Sequence, residues 1–187
     1  MTSNGGFLMV TKKELRKILI AKRKHLSSEY RREADLKIFE QITDSTVYQN
    51  AKTVFCFVST EDETNTHPIL KHALNIGKCV VVPKCIEKGI MHAYQIQSFD
   101  DLKHGKYGIL EPNEYCPKVP PKDIDLAIIP CLSCNSKGYR LGYGGGFYDR
   151  YLQGQNFTKL ALCYSCLIYE DIPVDSFDEK IDILISA

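Results

Sequence analysis

A glycine-rich segment contains most of the residues that could do chemistry. Residues 137–150 read Lys-Gly-Tyr-Arg-Leu-Gly-Tyr-Gly-Gly-Gly-Phe-Tyr-Asp-Arg, and five of the chain's 12 glycines lie within nine positions there. Glycines let the backbone come close to a ligand. The segment leads into a short helix predicted over residues 144–152, and the first N–H groups of a helix favour an anion. This pattern predicts a phosphate-binding loop.

Charged side chains flank this loop. Arg140 and Arg150 could clamp phosphate oxygens, and Asp149 could hold Mg²⁺ beside them. The structural alternative is a glycine-rich hairpin in which Asp149 caps a turn or pairs with Arg150. We favour the phosphate site because a structural turn rarely needs five glycines with an arginine and an aspartate at its edges.

The loop matches neither of the standard nucleotide motifs. A Walker loop would continue with Lys-Ser or Lys-Thr after the glycines, and none follows. The dinucleotide fingerprint would need a glycine where Phe147 stands. Any nucleotide site here is therefore of another kind.

Two C-x-x-C pairs, Cys131/Cys134 and Cys163/Cys166, are the other chemical candidates. Four thiolates could form a tetrahedral zinc site, and such a pair can also be redox-active. The intervening residues are Leu-Ser and Tyr-Ser rather than turn formers, and Cys163 lies in an apolar run. We therefore expect these thiols to be buried core residues.

Helices and strands that alternate along the chain must position these residues. The first helix begins with a capping box formed by Thr11 and Glu14. The apolar residues predicted to share its buried face are Leu15, Ile18, Leu19 and Leu26. Basic residues crowd the rest of its surface: Lys12, Lys13, Arg16, Lys17, Lys22, Arg23 and Lys24. A second helix is predicted over residues 28–41.

Short apolar runs then predict strands over residues 54–58, 79–82, 91–96, 125–130, 160–164 and 181–185. A helix over 66–77 joins the first two strands, which makes a βαβ unit with a right-handed crossover and a parallel sheet. Residues 107–121 predict a long surface loop. We expect an α/β fold, a three-layer sandwich with a mostly parallel sheet, formed by one domain over residues 11–187 behind a loose leader over 1–10.

The composition excludes several classes of protein. The 187 residues are 44% hydrophobic and include 24 basic and 23 acidic side chains. This near-zero charge gives no general attraction to nucleic acid or to anionic lipid. No run approaches the roughly 18 apolar residues that a membrane-spanning helix needs, and the start lacks the pattern of a signal peptide. We expect a cytoplasmic monomer with no nucleic-acid or membrane partner.

Residues 140–149 resemble the signature of the 5-formyltetrahydrofolate cyclo-ligases, also called methenyltetrahydrofolate synthetases. Other segments resemble the same family, in the family's order. They are the basic run from Lys12 to Arg16, residues 57–66 in the turn after the first predicted strand, residues 82–84 at the end of the second, and the acidic pattern over 173–182. Several motifs in the right order make this resemblance more specific than any one of them.

The resemblance implies an ATP- and Mg²⁺-dependent ligase with a NagB/RpiA/CoA transferase-like fold. It would convert 5-formyltetrahydrofolate, with or without a polyglutamate tail, to 5,10-methenyltetrahydrofolate, and release ADP and phosphate. The implied chemistry is phosphorylation of the formyl oxygen, ring closure by the second folate nitrogen and loss of phosphate. Positioning and charge neutralisation do most of the work in phosphoryl transfer, so no protein nucleophile is needed. The alternatives are another ATP-dependent ligase or kinase and a non-catalytic folate- or nucleotide-binding protein.

The resemblance also implies roles for individual residues. Those implied for ATP are Lys12, Lys13, Glu14, Leu15, Arg16, Arg140, Leu141, Gly142, Tyr143, Gly144, Gly145, Gly146, Phe147 and Tyr148. Those implied for the folate are Val58, Glu63, Met91, Tyr107, Tyr143, Gly144, Gly145, Gly146 and Phe147. Those implied for catalysis are Arg140, Tyr148 and Asp149, and Asp149 with Asp178 would hold Mg²⁺.

Simpler roles remain open for some of these residues. Lys12 and Arg16 could belong to a solvated basic face, Asp178 could be an ordinary exposed carboxylate, and Met91 and Tyr107 could serve in packing. Glu63 suits the pterin, because a carboxylate is a two-point acceptor for an N–H group beside an amino group.

The chain departs from some relatives inside the loop. Tyr143 and Gly145 occupy positions where some members have basic residues, and Phe147 stands where others have tyrosine. Phosphate contacts would then depend more on backbone N–H groups and on Lys12, Arg16 and Arg140.

Overall fold

The computed structural model describes residues 10–105 and 108–187. The helices are α1 (Lys12–Lys24), α2 (Ser28–Asp44), α3 (Thr46–Asn50), α4 (His67–Asn75) and α5 (Phe147–Leu152). The strands are β1 (Thr53–Cys56), β2 (Cys79–Glu87), β3 (Ile90–Ile96), β4 (Leu102–His104), β5 (Leu110–Pro112), β6 (Lys118–Val119), β7 (Leu126–Pro130), β8 (Ser133–Cys134), β9 (Arg140–Leu141), β10 (Thr158–Cys163) and β11 (Ile183–Ser186). Tyr107 and residues 1–9 of the predicted leader lie outside the described residues.

A seven-stranded sheet forms the centre of the molecule, with the order β11-β10-β7-β1-β2-β3-β6. The pairs β11-β10, β10-β7, β7-β1 and β1-β2 are parallel, whereas β3 is antiparallel to β2 and β6. The predicted mostly parallel sheet is thus confirmed. The strands β1 and β7 lie in its middle, and nearly all their residues are buried, which explains their unbroken apolar sequences.

Helices lie on both faces of the sheet. Successive residues of a strand point to opposite faces. In β1, the Phe55 ring contacts Tyr148 and Tyr151 of α5, while the neighbouring Cys56 contacts Thr66 at the start of α4. This arrangement is the predicted three-layer sandwich.

The first helix begins at the predicted capping box. The Thr11 N–H donates to Glu14 Oε2 at 2.9 Å, and the Glu14 N–H donates to Thr11 Oγ1 at 3.3 Å. This cap fixes the residue at which α1 starts and therefore the direction of its first turn. None of the described helices is long and apolar enough to cross a membrane.

The buried face of α1 differs from the predicted one. Leu15 and Leu19 are buried as expected, but Ile18 is 57% exposed. Arg23, which the sequence placed on the basic surface, is buried at 2% exposure. Residues four apart in a helix share a face, so Arg23 continues the row of Leu15 and Leu19.

Other boundaries also differ. The second helix, α2, continues to residue 44 rather than ending at 41, and β2 continues to residue 87 because it pairs with β3 over most of its length. The predicted loop over 107–121 contains the short strands β5 and β6 in its described part. Pairing with a neighbouring strand, which the local sequence does not show, explains the differences at β2, β5 and β6.

The cysteines of the two C-x-x-C pairs are mostly core residues. Cys131, Cys134 and Cys163 are buried, and Cys166 is half-buried. The sulfur atoms of Cys131 and Cys134 are 3.3 Å apart, and this contact together with burial raises the pKa of Cys131. The described part of the chain contains no group of three or more histidine, cysteine or carboxylate side chains arranged to hold a metal.

Candidate active site

A cavity of about 860 Å³ lies beside the carboxyl ends of the parallel strands β1 and β7. Phe57 and Val58 directly follow β1 and line this cavity together with Pro130 at the end of β7. Ligand sites of parallel α/β sheets lie at this edge. The start of α1, the segment between β9 and α5, and a C-terminal segment around Phe177 complete the wall.

Residues 142–146, which we call the glycine loop, form one wall of the cavity. Gly144 and Gly146 have φ values of 97° and 63°, in the left-handed region that side-chain-bearing residues rarely adopt. A Cβ atom on Gly146 would also lie 2.9 Å from Nη1 of Arg150. The conformation of the loop itself therefore requires glycine at these positions.

Arginine side chains hold the glycine loop from two sides. Arg16 of α1 donates from Nε to the carbonyl oxygen of Gly142 at 2.8 Å. Arg150 of α5 donates from Nη2 to the Gly145 oxygen at 2.5 Å and from Nε to the Gly89 oxygen at 2.7 Å. Arg150 therefore anchors the loop to the turn between β2 and β3, and it is not among the described residues that line the cavity.

Two cationic side chains of the cavity are paired with carboxylates of its wall. Lys12 Nζ donates to Asp178 Oδ2 at 2.5 Å and to Asp175 Oδ2 at 2.7 Å. Arg140 Nη2 donates to Asp149 Oδ1 at 2.8 Å, and the Arg140 side chain is only 4% exposed. Two cations that could bind phosphate thus lie beside the two carboxylates that could bind Mg²⁺.

Burial and hydrogen bonds set the protonation of this region. Partial burial lowers the pKa of Lys12, but the hydrogen bonds to Asp175 and Asp178 outweigh it, so the pKa is raised and the ammonium stays charged. Burial raises the pKa of Tyr148 well above its ordinary value, and the charge of Glu63 adds to the shift. Tyr148 is therefore a neutral phenol that can donate a hydrogen bond.

The opposite end of the cavity is apolar apart from its carboxylates. Val58 and Met91 are buried in its wall. Glu63 also lines it, in the turn after β1, where the Thr60 N–H and hydroxyl donate to Glu63 Oε2 at 2.9 and 3.1 Å. The turn holds the Glu63 side chain in place, and no described residue donates a hydrogen bond to its Oε1.

Sequence reasoning missed several residues of the site, among them Glu111 and Arg23. Glu111 of β5 lines the cavity, is buried, and accepts a hydrogen bond on Oε1 from the Cys85 N–H at 3.1 Å. The sequence feature that could have indicated Glu111 is an acidic residue between the apolar Leu110 and Pro112. Arg23 lies behind the glycine loop. Its spacing of four residues from Leu19 could have indicated that it shares the buried face of α1.

The donor set suits Mg²⁺ when a polyphosphate is also bound. Asp149 and Asp178 both line the cavity, and Asp149 pairs with Arg140 rather than with Arg150. Among the described residues, no hydrogen bond reaches Asp149 Oδ2 or Asp178 Oδ1, so each carboxylate keeps one oxygen for a ligand. Mg²⁺ typically takes one or two carboxylates, with phosphate and water oxygens as its other ligands.

The cavity brings together most of the residues implied from the sequence. Those that line it are Lys12, Lys13, Arg16, Val58, Glu63, Met91, Arg140, Leu141, Gly142, Tyr143, Gly144, Gly145, Gly146, Phe147, Tyr148, Asp149 and Asp178. Glu14 and Leu15 are not part of the described lining, since Glu14 closes the capping box and Leu15 is in the core. Tyr107 lies outside the described residues.

Known proteins resemble this chain over nearly its whole length. Residues 8–187 match the model of the 5-formyltetrahydrofolate cyclo-ligase family. The chain is 30% identical to 5-formyltetrahydrofolate cyclo-ligase of Mus musculus over 91% of each protein. It is 28% identical to the probable 5-formyltetrahydrofolate cyclo-ligase of Schizosaccharomyces pombe over 96% of each. The solved structure of Aquifex aeolicus 5,10-methenyltetrahydrofolate synthetase has a TM-score of 0.84 at 31% identity, covering 94% of this chain and 89% of that one.

Proposed function

The chain belongs to the 5-formyltetrahydrofolate cyclo-ligase family, and we propose that its cavity carries out the ATP-dependent conversion of 5-formyltetrahydrofolate to 5,10-methenyltetrahydrofolate. One observation supports this most directly. A single cavity joins a glycine loop with cationic side chains to an apolar end with carboxylates. The glycine loop and its cations suit a polyphosphate. The apolar end with its carboxylates suits a flat ring system with N–H donors.

The reaction needs a good leaving group. The formyl oxygen attacks the γ-phosphorus of ATP, so an O–P bond forms and ADP departs. The second folate nitrogen then attacks the formyl carbon and loses its proton, and the C–O bond breaks as inorganic phosphate leaves. The protein supplies positioning and charge neutralisation, which dominate catalysis of phosphoryl transfer.

Residues of α1 and the glycine loop would bind the phosphates. Lys12, Arg16 and Arg140 supply positive charge, and the backbone N–H groups of residues 142–146 supply neutral donors. Lys12 and Arg140 are paired with carboxylates in the structure. We therefore expect both side chains to exchange partners when the nucleotide enters.

Asp149 and Asp178 would hold Mg²⁺ through the oxygens that have no hydrogen bond from a described residue. The ion, when bound, neutralises negative charge that builds up on the phosphates during transfer. Before the nucleotide enters, Arg140 keeps Asp149 oriented by its hydrogen bond to Oδ1. Tyr148, held neutral by burial, can donate a hydrogen bond to a reacting oxygen.

The folate would lie in the apolar end of the cavity. Val58, Met91 and Phe147 provide apolar surface there, and Glu63 presents a carboxylate oxygen to the N–H groups of the pterin. A polyglutamate tail, a monomeric state and a cytoplasmic location remain predictions from the sequence, as does Tyr107 as a folate contact.

The direct test mixes the purified protein with ATP, Mg²⁺ and 5-formyltetrahydrofolate. The methenyl product has a chromophore in the near ultraviolet, and its absorbance should rise only when all three are present. Chelation of Mg²⁺ should stop the increase. Folded protein that binds folate and ATP without forming product would be a binding protein and would contradict the proposal.

The metal role of Asp149 has its own test. Asp149→Asn should lower kcat by about 100-fold, because the amide of asparagine lacks the negative charge with which the carboxylate would bind Mg²⁺. The exposed Asp171→Asn is the matched control and should keep normal kcat. Calorimetric titration of Mg²⁺ in the presence of a non-hydrolysable ATP analogue gives a readout besides turnover. Unchanged Mg²⁺ affinity in Asp149→Asn would assign the metal to other ligands.

A further inference from the structure

Arg23 joins three parts of the molecule that meet behind the glycine loop. It projects from α1 and is 2% exposed. Its Nη1 donates to the Tyr143 hydroxyl at 2.5 Å, and its Nη2 donates to the Cys131 carbonyl oxygen at 2.7 Å. Cys131 directly follows β7, and Tyr143 lies inside the loop. One guanidinium therefore ties the first helix and the end of a central strand to the loop.

The Arg23 guanidinium is not optimised for stability alone. Its Nε is buried and has no hydrogen-bond partner in the part of the chain that the structure describes. A buried N–H group without a partner costs stability, and so does a buried charge with no carboxylate beside it. Among the described residues, no carboxylate forms a salt bridge with Arg23. Such costs are typical of residues kept for a functional geometry.

We propose that Arg23 is a positioning residue that acts through the Tyr143 hydroxyl to hold the glycine loop in its ATP-binding conformation. The proposal rests on the function proposed above for the loop. Arg16 holds the loop at Gly142, and Arg150 holds it at Gly145. Arg23 supplies a third point of attachment between them, at the side chain of Tyr143.

The same contact orients the Tyr143 hydroxyl. The oxygen accepts from Arg23, so the hydroxyl proton points away from the guanidinium, and Tyr143 lines the cavity. Burial raises the pKa of Tyr143 to about 12 although the charge of Arg23 lowers it, so the phenol stays protonated near neutral pH. The neutral hydroxyl therefore stays available as the acceptor for Arg23.

The first test measures the loop in the ligand-free protein. Tyr143→Phe removes only the hydroxyl, and Arg23→Lys keeps the charge but not the forked donors. Both should speed hydrogen exchange of the amides of residues 142–146 by at least about threefold. Lys24→Met, an exposed charge removal on the same helix, is the matched control and should leave this exchange unchanged. Unchanged loop exchange in Tyr143→Phe would overturn the proposal even if Arg23→Lys proved unstable.

The second test separates positioning from general stability. Tyr143→Phe should raise KM for ATP by about tenfold, because nucleotide binding must then order the loop, while kcat and the midpoint of thermal unfolding change little. The double variant should have the KM of Arg23→Lys alone, since both changes break one contact. Multiplied effects on KM would show that Arg23 acts independently of Tyr143. A wild-type protein without turnover would refute the proposed function, but the exchange measurement would still test the loop.

Discussion

At the residue scale, Glu63 shows how a turn prepares a side chain for a ligand. Its Oε2 accepts from the N–H and the hydroxyl of Thr60, three residues earlier. These bonds fix the rotamer, so binding a folate would not have to order the side chain. The residue thus serves the turn with one oxygen and the cavity with the other.

We predict that Glu63→Gln raises KM for 5-formyltetrahydrofolate by about tenfold and leaves KM for ATP unchanged. The amide oxygen of glutamine can still accept from Thr60, which turns the amino group toward the cavity, where it would meet the N–H donors of the pterin. Steady-state kinetics with each substrate varied in turn gives both constants. Glu61→Gln, an exposed neighbour, is the control. Equal changes in both KM values would argue against a folate contact.

At the element scale, the first helix is attached to the C-terminal segment through the active site. Lys12 pairs with Asp175 and Asp178, and its ammonium also lies 5.6 Å from the centre of the Phe177 ring. The side chain of Lys12 is 15% exposed, so solvent screens these charges only in part. The ion pairs therefore stabilise the packing of α1 as well as shaping the phosphate end of the cavity.

The pKa of Lys12 predicts how this attachment depends on pH. Because the folded protein raises the pKa above the ordinary 10.5, the stabilisation is complete below that value and is lost as the pH rises through the folded pKa. Wild type should exceed Lys12→Met by up to about 1 kcal/mol in free energy of unfolding near neutral pH.

Urea unfolding of both proteins between about pH 9 and about pH 12 measures this difference. Tyrosines also titrate in that range, but they are common to the two proteins, so the difference isolates Lys12. The difference in free energy of unfolding should become smaller above pH 10.5, the ordinary pKa of lysine. A difference that is constant across the range would show that the variant loses packing rather than an ion pair.

At the scale of the whole molecule, the parallel core places the chemistry. The strands β1 and β7 are neighbours in the middle of the sheet, and Phe57 and Val58 after β1 line the same cavity as Pro130 at the end of β7. Ile128 of β7 has no exposed surface and pairs with Cys56 of β1 and Leu160 of β10. The central strands thus both stabilise the fold and bring residues at their carboxyl ends to one cavity.

We predict that Ile128→Ala lowers the free energy of unfolding by about 2–5 kcal/mol, because it leaves a cavity in a core that is closed on every side. Ile18→Ala is the matched control. Ile18 is 57% exposed, so its loss should change the free energy by less than about 0.5 kcal/mol. Urea denaturation of the two variants provides the comparison. Equal destabilisation would contradict the burial of these residues.

Local patterns in the sequence determined much of this protein. The capping box placed the start of α1, the apolar runs predicted the central strands, and the glycine-rich motif indicated a phosphate ligand. The resemblance to a known family added Lys12, Arg16 and Asp178 to the site. These features depend on neighbours in the chain or on motifs that keep their spacing, so one sequence can reveal them.

Only the tertiary structure decided which distant groups meet. It buried Arg23 behind Tyr143, turned Arg150 to the backbone of Gly89 and Gly145, and brought Glu111 into the cavity wall. Each of these contacts joins residues far apart in the chain except Arg150 with Gly145. The packing of helices and strands selects the partners of these side chains, and the type of a side chain alone does not predict that packing.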